Sequence, residues 1–481
     1  MENQTNKQTI EMIMHQRRGR RLVLFPLPLQ GHINPMLQLA NILHTHGFSI
    51  TIIHTNFNSP NPSNHPHFAF HFIPENLSES EASTDDLLAL VALLNTRCVE
   101  PFHDCLAKLC SSDSEEEPVA CLISDAILPF TQAVAEKLKL PRIVLRTGGA
   151  SSFLVFAAFP LLRERGYLPI QDSKLEEPVV EIPPLKVKDL PVINTSDPQT
   201  LHQVVDGMVD GAKASSGLIW NTFEDLEQPS LDTLGQKFPI PIFPMGPFHK
   251  IFTASSSSSS GLLKQEDQSC ISWLDKLATT APKSVIYVSF GSIAAISEAE
   301  FLEIAWGLAN SNQPFLWVVR PGLLTRRGGS DWLELLPSGF LEKLGGRGHI
   351  VKWAPQQEVL AHPSVGAFWT HNGWNSTLES ICEGVPMICM PCFTDQRVNA
   401  RYVSDVWRVG LQLENGIERG EIEKTIRRLM VEREGKEIRE RILCLKEKAI
   451  LSLKEGGSSY ESINSLVTHI LLLESFTFHA H

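Results

Sequence analysis

The stretch from Trp353 to Gln396 constrains this chain more than any other, because it places a strand, a glycine-containing bend and a helix start within a few residues. The apolar run Val365 to Trp369 predicts a buried strand, and the sequence HNGWNS after it predicts a turn into a helix from Thr377 to Glu383. Asn375 and Ser376 stand where helix-capping residues are expected. Free backbone N–H groups at the positive end of such a helix bind anions, so the pattern predicts a diphosphate site.

Side chains around this bend suit the other parts of a nucleotide-sugar. We expect His371 to flank the diphosphate, Trp353 to offer a flat face to a base, and Glu379, one helical turn farther on, to accept from ribose hydroxyls. Asp395 and Gln396 follow a second apolar run. A carboxylate beside an amide suits vicinal sugar hydroxyls, because the carboxylate accepts hydrogen bonds and the amide both donates and accepts. The alternative is that these residues are only strand ends of an α/β domain.

Length and charge exclude several classes of protein. A chain of 481 residues has room for two domains, and 43% hydrophobic with 20% charged residues is typical of a globular protein. A formal net charge of −12 argues against nucleic acid and against an anionic membrane surface as partners. It does not argue against a nucleotide-sugar, because backbone dipoles can hold the diphosphate.

The sequence predicts neither export nor membrane insertion. Residues 1–21 are polar, end in a cluster of arginines and contain no apolar segment, so we expect a disordered N-terminal tail. No run of about 18 apolar residues occurs, so we expect no transmembrane segment. Nine cysteines without regular spacing indicate reduced thiols and a cytoplasmic location. The single CxxC, from Cys389 to Cys392, has no second pair, and we expect it to be structural.

The chain opens with the pattern of a βαβ unit. Apolar strands are predicted from Leu22 to Pro28 and from Phe48 to Thr55, with a helix from Met36 to Gly47 between them. His32 stands in the turn after the first strand, at the edge of the parallel sheet where ligands bind. An imidazole is suited to take a proton from a hydroxyl, although a lone histidine in a turn is more often a surface or capping residue.

Two more polar residues end predicted strands at the same edge. Asp125 follows the apolar run Val119 to Ser124, where its carboxylate could accept the second N–H of the His32 ring and fix its tautomer; it could equally cap the following helix. Thr147 follows the strand Pro141 to Leu145 and is either a sugar contact or a helix cap.

A phenylalanine stripe comes next along the chain. The segment from Ala150 to Leu162 is predicted as one buried helix and carries Phe153, Phe156 and Phe159 at a spacing of three. Such a stripe is more often core than pocket, although one edge could meet an apolar acceptor molecule.

Composition divides the chain into five segments. The tail precedes an N-terminal domain, residues 22–248, and a Ser-rich linker, residues 249–268. A second domain, residues 269–455, opens with a buried strand followed by Gly291 and Ser292, which aim N–H groups and a hydroxyl at the edge of the sheet where ligands bind. Residues 456–481 are predicted to form a C-terminal helix.

From Trp353 to Gln396 the sequence resembles the donor-binding signature of the plant family-1 UDP-glycosyltransferases. The resemblance implies an α/β GT-B fold, in which two doubly wound Rossmann-like domains face each other across a cleft. It implies that residues 22–248 form the acceptor-binding domain, that residues 269–455 form the UDP-sugar donor-binding domain, and that the last helix crosses back onto the first domain. It implies that His32 is the catalytic base and Asp125 its partner. It implies donor contacts at Thr147, Ser292, Trp353, Ala354, Gln356, His371, Trp374, Asn375, Ser376, Glu379, Asp395 and Gln396.

The resemblance also implies the reaction. We expect an inverting transfer of glucose from UDP-glucose to a hydroxyl, or to an existing sugar, of a small lipophilic plant metabolite; Trp374 and Gln396 resemble residues of glucose users. The segments QGHINPMLQLANILHTHGFSITIIHTNFN, FLWVVRPG and GSSYESINSLV are similar to a subgroup that glucosylates terpenoids and steviol-type diterpenoid glycosides. No Asp-x-Asp pattern occurs, so we expect a reaction without a metal, in which the helix dipole, His371 and Ser376 stand in for the ion. We also expect a monomer with no cofactor besides its co-substrate.

Several alternatives stay open from the sequence. The donor could be UDP-galactose, UDP-xylose or UDP-rhamnose, and the acceptor group could be a carboxylate that yields a glucose ester. A non-catalytic binder of nucleotides or small molecules would be expected to have lost His32 or Asp125, and both are present. A dehydrogenase that uses NAD is disfavoured because no GxGxxG follows the first strand.

Overall fold

The computed structural model describes residues 20–82, 84, 86–111, 117–193, 195, 197–251, 266–324, 335–336, 339–413 and 416–477. Most of the predicted N-terminal tail and most of the predicted Ser-rich linker lie outside the described residues. Within the described part, the chain forms two parallel β-sheets with helices packed against them, so the predicted α/β class is confirmed.

The first sheet has seven parallel strands in the order β3-β2-β1-β4-β5-β6-β7. The strands are β1 (Arg20–Phe25), β2 (Phe48–Thr55), β3 (Phe68–Ile73), β4 (Val119–Asp125), β5 (Arg142–Arg146), β6 (Gly217–Trp220) and β7 (Ile242–Pro244). The inner strands are buried almost throughout, because helices cover both faces of the sheet.

The helices of this half alternate with its strands. They are α1 (Gln30–Thr45), α2 (Glu79–Ala82), α3 (Leu87–Arg97), α4 (Val99–Leu109), α5 (Phe130–Lys137), α6 (Ala150–Ala157), α7 (Phe159–Glu164), α8 (Pro198–Lys213), α9 (Glu224–Lys237) and α10 (Phe248–Ile251). These helices connect successive parallel strands, as in other α/β folds.

The second sheet has six parallel strands in the order β10-β9-β8-β11-β12-β13. The strands are β8 (Val285–Ser289), β9 (Phe315–Val318), β10 (Gly348–Val351), β11 (Val365–Thr370), β12 (Met387–Cys389) and β13 (Gly410–Gln412). The helices are α11 (Ser269–Ala278), α12 (Glu298–Asn310), α13 (Phe340–Leu344), α14 (Gln356–Ala361), α15 (Trp374–Glu383), α16 (Gln396–Arg401), α17 (Arg419–Met430), α18 (Arg433–Ser452) and α19 (Ser458–Thr477).

Both sheets reverse their strand order at their first strand. β1 lies between β2 and β4, and β8 lies between β9 and β11. In doubly wound sheets, the crevice beyond the carboxyl ends of the strands at this reversal is the usual ligand site. His32 follows β1 and Gly291 follows β8, so the chain segments predicted to carry function leave the sheets at these two points.

The last helix, α19, returns to the first sheet. Its buried apolar side chains belong to the same core cluster as Leu22 of β1. They are Ile463, Leu466, Val467, Ile470 and Leu471. Burying one aliphatic side chain contributes about 1.5–3 kcal/mol, so this contact holds the end of the chain firmly on the N-terminal half. The His469 ring adds a hydrogen bond to the Ser216 carbonyl oxygen (2.8 Å).

Helix α1 begins earlier than the sequence pattern predicts. It starts at Gln30 rather than at Met36, so His32 lies in its first turn and not in a loop. Pro35 lies inside the helix. Proline lacks an N–H and cannot bond to the carbonyl four residues before it, which is why the pattern favoured a later start. That carbonyl belongs to Gly31, and it accepts a hydrogen bond from the Asn375 side chain instead.

Two other helix predictions were also wrong in detail. Helix α15 begins at Trp374 rather than at Thr377, because Gly373 takes the N-cap position with extended backbone angles (φ −57°, ψ 142°). The single helix predicted from Ala150 to Leu162 is two helices, α6 and α7, because Pro160 in the first turn of α7 has no N–H to continue the ladder. None of the described helices is both long enough and apolar enough to cross a membrane.

Candidate active site

A cavity of about 370 Å³ lies where the carboxyl ends of the two sheets face each other. Every residue predicted to bind the donor lines it, together with His32. These residues are Thr147, Ser292, Trp353, Ala354, Gln356, His371, Trp374, Asn375, Ser376, Glu379, Asp395 and Gln396. Asp125 does not line the cavity; it is fully buried behind His32. Residues that are far apart in sequence therefore meet around one space.

His32 and Asp125 form a directly hydrogen-bonded pair. Nδ1 of His32 lies 2.7 Å from Oδ2 of Asp125, and the second carboxylate oxygen accepts the backbone N–H of Ile127 (3.0 Å). Burial by itself would raise the pKa of Asp125, but the adjacent His32, with its hydrogen bond, and the Ile127 N–H hold that pKa below its ordinary value. The ionised carboxylate accepts the Nδ1 proton, so Nε2 keeps its lone pair as a base.

Thr147 contacts the same histidine, which the sequence did not predict. Its hydroxyl oxygen lies 2.9 Å from Nδ1 of His32. Since Nδ1 carries the proton donated to Asp125, the hydroxyl oxygen is a second acceptor for that N–H and can direct its own proton into the cavity. Thr147 thus helps to orient the ring and still lines the space where a sugar contact was expected.

The N-terminus of helix α15 faces the cavity without a side-chain cap. Gly373 occupies the N-cap and supplies no capping hydrogen bond. The side chains of Asn375 and Ser376, predicted to cap this helix, have other partners: Asn375 donates to the Gly31 carbonyl (2.9 Å), and the Ser376 hydroxyl accepts from Gln356 (3.0 Å). The first-turn N–H groups and the positive end of the helix dipole are therefore directed at the cavity, as an anion site requires.

His371 lies at the exit of β11 and is packed between two glycines. A methyl group on Gly291 or on Gly373 would come within 2.6 Å of its ring, so only glycine fits at either position. Its Nδ1 is buried and has no hydrogen-bond partner among the described residues. Burial lowers the pKa of His371 to about 4. The ring is neutral at pH 7, so it can donate a hydrogen bond to a diphosphate but, contrary to the expectation of a stand-in for a metal ion, adds no positive charge.

Gln356 links the two parts of the predicted nucleoside site. Its amide group is shared between the Ser376 hydroxyl and Glu379 Oε2 (2.7 Å), and Gln357 donates to Glu379 Oε1 (2.9 Å). Burial raises the pKa of Glu379, while the two amides act against that shift. Each carboxylate oxygen keeps a free lone pair, so Glu379 is able to accept from hydroxyls such as those of a ribose. Trp353 and Ala354 line the cavity beside it.

Asp395 and Gln396 are held in fixed orientations at the start of α16. The side-chain carbonyl of Gln396 accepts the backbone N–H groups of Cys392 (2.9 Å) and Phe393 (3.1 Å). Only its NH₂ group is left to face a ligand, so the prediction that this amide both donates and accepts was wrong. Asp395 accepts from the Thr394 hydroxyl (2.9 Å) and from Asn399 (3.2 Å) and keeps further acceptor capacity.

Trp374 joins the two halves instead of offering its N–H to a ligand. Its indole nitrogen donates to the Asn221 carbonyl oxygen of the N-terminal half (2.8 Å). Its ring packs on Gly149, where a methyl group would come within 2.8 Å of the ring. Trp374 lines the cavity, but only the ring surface remains available to a sugar.

Comparisons with known proteins agree with this geometry. Residues 237–445 match the family described as UDP-glucoronosyl and UDP-glucosyl transferase. The chain is 56% identical over 450 residues to UDP-glycosyltransferase 76B1 of Arabidopsis thaliana, which covers 94% of this chain and 98% of that protein. The chain belongs to the UDP-glycosyltransferase family. It is also 50% identical over 461 residues to UDP-glycosyltransferase 76G1 of Stevia rebaudiana, or 94% of this chain and 97% of that protein.

Solved structures of UDP-glycosyltransferases confirm the GT-B fold. Phytolacca americana UGT2, complexed with UDP-2fluoro-glucose and pterostilbene, superposes with a TM-score of 0.77 at 28% identity, covering 94% of this chain and 100% of that one. Medicago truncatula UGT71G1, complexed with UDP-glucose, gives a TM-score of 0.79 at 25% identity, covering 95% and 99%. This UDP-glycosyltransferase is therefore an enzyme that transfers sugar from a UDP-sugar to small plant metabolites.

Sequence reasoning missed two arginines that end strands of this UDP-glycosyltransferase. Arg320, just after β9, donates from Nε to the Gly291 carbonyl (2.8 Å) and from Nη2 to the Ala294 carbonyl, so it holds the loop that carries Ser292. Arg146 ends β5 and lines the cavity. The available signal was the one used for Asp125, a charged residue at the carboxyl end of an apolar strand.

A buried glutamate of the UDP-glycosyltransferase was missed as well. Glu227 accepts the backbone N–H groups of Ala150 (3.0 Å) and Ser151 (2.9 Å), and the Ser151 hydroxyl, at the N-terminus of α6. This contact fixes the turn that carries Thr147. Glu227 is 76 residues from Ser151 in sequence, and no local pattern indicates such a contact.

Two predictions concern a metal ion and the CxxC thiols, neither of which was expected to take part in the reaction. In the part of the chain that the structure describes, no group of three or more His, Cys, Asp or Glu side chains is placed to hold a metal ion. The expectation of a metal-free reaction stays a prediction. Cys389 and Cys392 are free thiols, and burial raises the pKa of Cys392 to about 11.

Proposed function

We propose that this enzyme transfers glucose from UDP-glucose to a hydroxyl of a small lipophilic plant metabolite and inverts the α-linkage to β, without a metal. The observation that carries the proposal is the arrangement of the cavity. The His32–Asp125 pair lies on its N-terminal wall, and the uncapped end of α15 lies on its C-terminal wall.

The chemistry follows from this arrangement. His32 Nε2 takes the proton of the acceptor hydroxyl while its oxygen attacks the anomeric carbon from the face opposite the diphosphate. Asp125 stabilises the imidazolium that forms. The bond to the diphosphate breaks, and the α15 N-terminus, with neutral His371 as a hydrogen-bond donor, stabilises the charge that develops on the leaving UDP.

Glucose is the donor we favour among UDP-sugars. Asp395 keeps acceptor capacity and Gln396 presents only its NH₂ group, so the pair offers one acceptor and one donor to adjacent sugar hydroxyls. Medicago truncatula UGT71G1, whose structure is similar, was solved with UDP-glucose. Galactose, xylose and rhamnose donors are the alternatives, and a panel of UDP-sugars with one acceptor separates them.

A terpenoid or phenolic hydroxyl is the acceptor group we propose, with a carboxylate that forms a glucose ester as the alternative. Apolar residues from the N-terminal half line much of the cavity near His32, and Val91, Ile127, Phe156 and Met208 are among them. Phytolacca americana UGT2 was solved with pterostilbene, which is phenolic. We further propose that the enzyme acts as a cytoplasmic monomer.

Replacing the base tests the proposal. In His32→Ala, we expect glucosylation of hydroxyl acceptors to fall by about 100-fold or more, because a general base contributes about 10²–10⁴ to such a step. Ester formation would be affected far less, since a carboxylate needs no deprotonation. The measurement is mass-spectrometric detection of the mass gain of one hexose in a plant metabolite library with UDP-glucose.

The matched control is His44→Ala, which removes a histidine from the far end of the same helix, outside the cavity. It should keep wild-type rates. Unchanged hydroxyl transfer in His32→Ala would refute the assignment of the base, and an α-linked product by NMR would refute the inverting mechanism.

A further inference from the structure

Arg146 carries a buried positive charge that has no hydrogen-bond or ion-pair partner among the described residues. Its side chain lines the cavity and is only 5% exposed. No hydrogen bond or ion pair within the described residues involves its guanidinium, and its Nε is buried without a partner. Burying even one charged N–H group unpaired is costly, so the site is suited to a hydrogen-bond acceptor that is not part of the protein.

Neighbouring side chains restrict the position of the guanidinium, but among the described residues they provide no hydrogen-bond acceptor for it. Its central carbon lies 5.8 Å from the ring centroids of both Phe153 and Phe156, a cation–π arrangement that restricts its position. Asp395 and Asp125 are near enough to favour its charge, but each carboxylate has other partners. Asp125 is bonded to His32, and Asp395 accepts from neighbours on its own half.

The position of Arg146 assigns it to the acceptor part of the cavity. It precedes Thr147, whose hydroxyl touches the His32 ring, and it lies over two phenylalanines of α6 in the N-terminal half. Among the described residues that line the cavity, it is the only lysine or arginine. A wholly apolar acceptor would leave its charge buried and unpaired, whereas a carboxylate would pair with two N–H groups at once.

We propose that Arg146 binds a carboxylate of the acceptor, so that the preferred substrates are small hydroxy acids with an apolar body. This inference rests on the proposed function, because it uses the same cavity and the same base. The carboxylate is held by Arg146 while the substrate hydroxyl gives its proton to His32. The hydroxyl oxygen forms the bond to the anomeric carbon, and UDP leaves with the electron pair of the broken bond.

The experiment compares an acid with its neutral counterpart. The probes are 3-phenyllactate and 3-phenyllactamide, which share the hydroxyl and the ring and differ in the charge at C1. Wild-type enzyme with UDP-glucose should favour the acid by about 10-fold or more in kcat/KM, since a buried charged partner rejects a ligand that leaves it unpaired. In Arg146→Met, kcat/KM for the acid should fall by about 30-fold or more, with less than about 3-fold change for the amide.

Two further variants make the result specific. Arg146→Lys keeps the charge but loses the two-pronged geometry, so its preference for the acid should lie between those of wild type and Arg146→Met. Arg165→Met removes an arginine that pairs with Glu181 on the surface of the same half, and it should keep the wild-type preference. Thermal unfolding checks that each variant is folded, and the comparison on wild-type enzyme does not depend on any variant.

Three outcomes would overturn the inference, and the first of them leaves the proposed transfer of glucose to a hydroxyl standing. One is equal kcat/KM for acid and amide in the wild type. Another is a product that mild alkali cleaves, because that would be a glucose ester with the carboxylate as nucleophile. The third is a preference for UDP-glucuronate over UDP-glucose that Arg146→Met abolishes, which would assign the arginine to a donor carboxylate. Absence of transfer from UDP-glucose to both probes and to every member of the plant metabolite library would instead count against the proposed function.

Discussion

His371 is the residue whose surroundings most change the expected chemistry of the site. The sequence places a histidine beside the diphosphate, where a positive charge would be useful. Packing between Gly291 and Gly373 and the resulting desolvation lower its pKa to about 4, and nearby Arg320 acts in the same direction. We therefore expect the positive potential for a diphosphate at this site to come from backbone N–H groups and the helix dipole, which do not titrate.

The lowered pKa of His371 predicts a pH-dependent stability. Unfolded histidine binds a proton near pH 6.5, but the folded residue does so only near pH 4, so the unfolded state gains more protons in this window and folding becomes weaker as the pH falls. The full shift corresponds to about 3 kcal/mol; water that reaches the ring through the cavity reduces this, and we expect about 1–2 kcal/mol. Urea unfolding of His371→Asn and wild type at pH 4.5, 5.5 and 7 measures it.

The variant should show the smaller loss of unfolding free energy between pH 7 and pH 4.5. His249, whose pKa burial lowers to about 3, is present in both proteins, so the difference between them isolates His371. The control is His103→Asn, which changes a histidine whose side chain is 38% exposed and should keep the wild-type pH dependence. If the unfolding free energies of His371→Asn and wild type changed equally with pH, the His371 ring would be hydrated in the folded protein and the prediction would be wrong.

At the scale of elements, the N-termini of α1 and α15 are joined by a hydrogen bond to a carbonyl that has no helical donor within α1. Pro35 has no N–H to donate to the Gly31 carbonyl four residues earlier. Asn375, in the first turn of α15, donates to that carbonyl instead (2.9 Å). Because Pro35 leaves this carbonyl without a donor inside α1, the carbonyl can accept from α15, and the bond connects the helix that carries His32 to the helix whose N-terminus we propose binds the diphosphate.

This connection predicts that Pro35 and Asn375 are energetically coupled. Asn375→Ala should lower kcat/KM and the unfolding free energy, the latter by about 1 kcal/mol, because a hydrogen bond between the halves is lost. In a Pro35→Ala background, the new N–H at position 35 supplies the Gly31 carbonyl, so Asn375→Ala should cost less. A double-mutant cycle of unfolding free energies measures the difference, expected at about 0.5–1 kcal/mol. Strictly additive effects would mean that the carbonyl does not couple the two helices.

At the scale of the whole molecule, polar and packing contacts hold the two halves around the cavity. Arg401 donates from Nε and Nη2 to the buried Asp189 (2.8 and 3.0 Å). Trp374 donates to the Asn221 carbonyl and packs against Gly149. A buried, two-pronged arginine–carboxylate pair and a buried indole N–H both require specific geometry, so together they define the width of the cleft.

The close packing of Trp374 on Gly149 predicts a sensitive position. In Gly149→Ala the added methyl would lie 2.8 Å from the Trp374 ring, so the halves must separate or the ring must move. Gly149 has a φ of −66°, so the backbone itself is not strained by alanine. We expect kcat/KM to fall by about 10-fold or more, because displacement of about 1 Å at a reaction site is that costly.

Gly235→Ala is the matched control for this substitution. Nothing lies within 4 Å of the position that its methyl would take, and it lies in helix α9. There alanine should leave kcat/KM unchanged and raise the unfolding free energy by about 0.5–1 kcal/mol. Wild-type activity in Gly149→Ala would show that the packing at Trp374 does not limit the cleft.

Local residue patterns predicted most of the strands and the sheet edge at which the site lies. Strands β1, β2, β4, β5, β8, β11 and β12 were predicted as apolar runs because both faces of a parallel sheet are buried, whereas β3 (Phe68–Ile73) was not predicted. Polar residues at the carboxyl ends of these strands indicated the edge at which the cleft lies. Helix starts at Gln30 and Trp374 were missed, because proline and glycine argue against helix locally while tertiary contacts compensate for them.

The sequence by itself determined the α/β class, the parallel strands and the residue types that meet at the sheet edges, since these depend on short-range periodicity and on the chemistry of single side chains. Only the tertiary structure decided that Trp374 donates its N–H to Asn221, that Thr147 contacts His32, and that Nε of Arg146 has no hydrogen-bond partner among the described residues. Hydrogen bonding and desolvation depend on which distant segments meet, and no local pattern of residues specifies that.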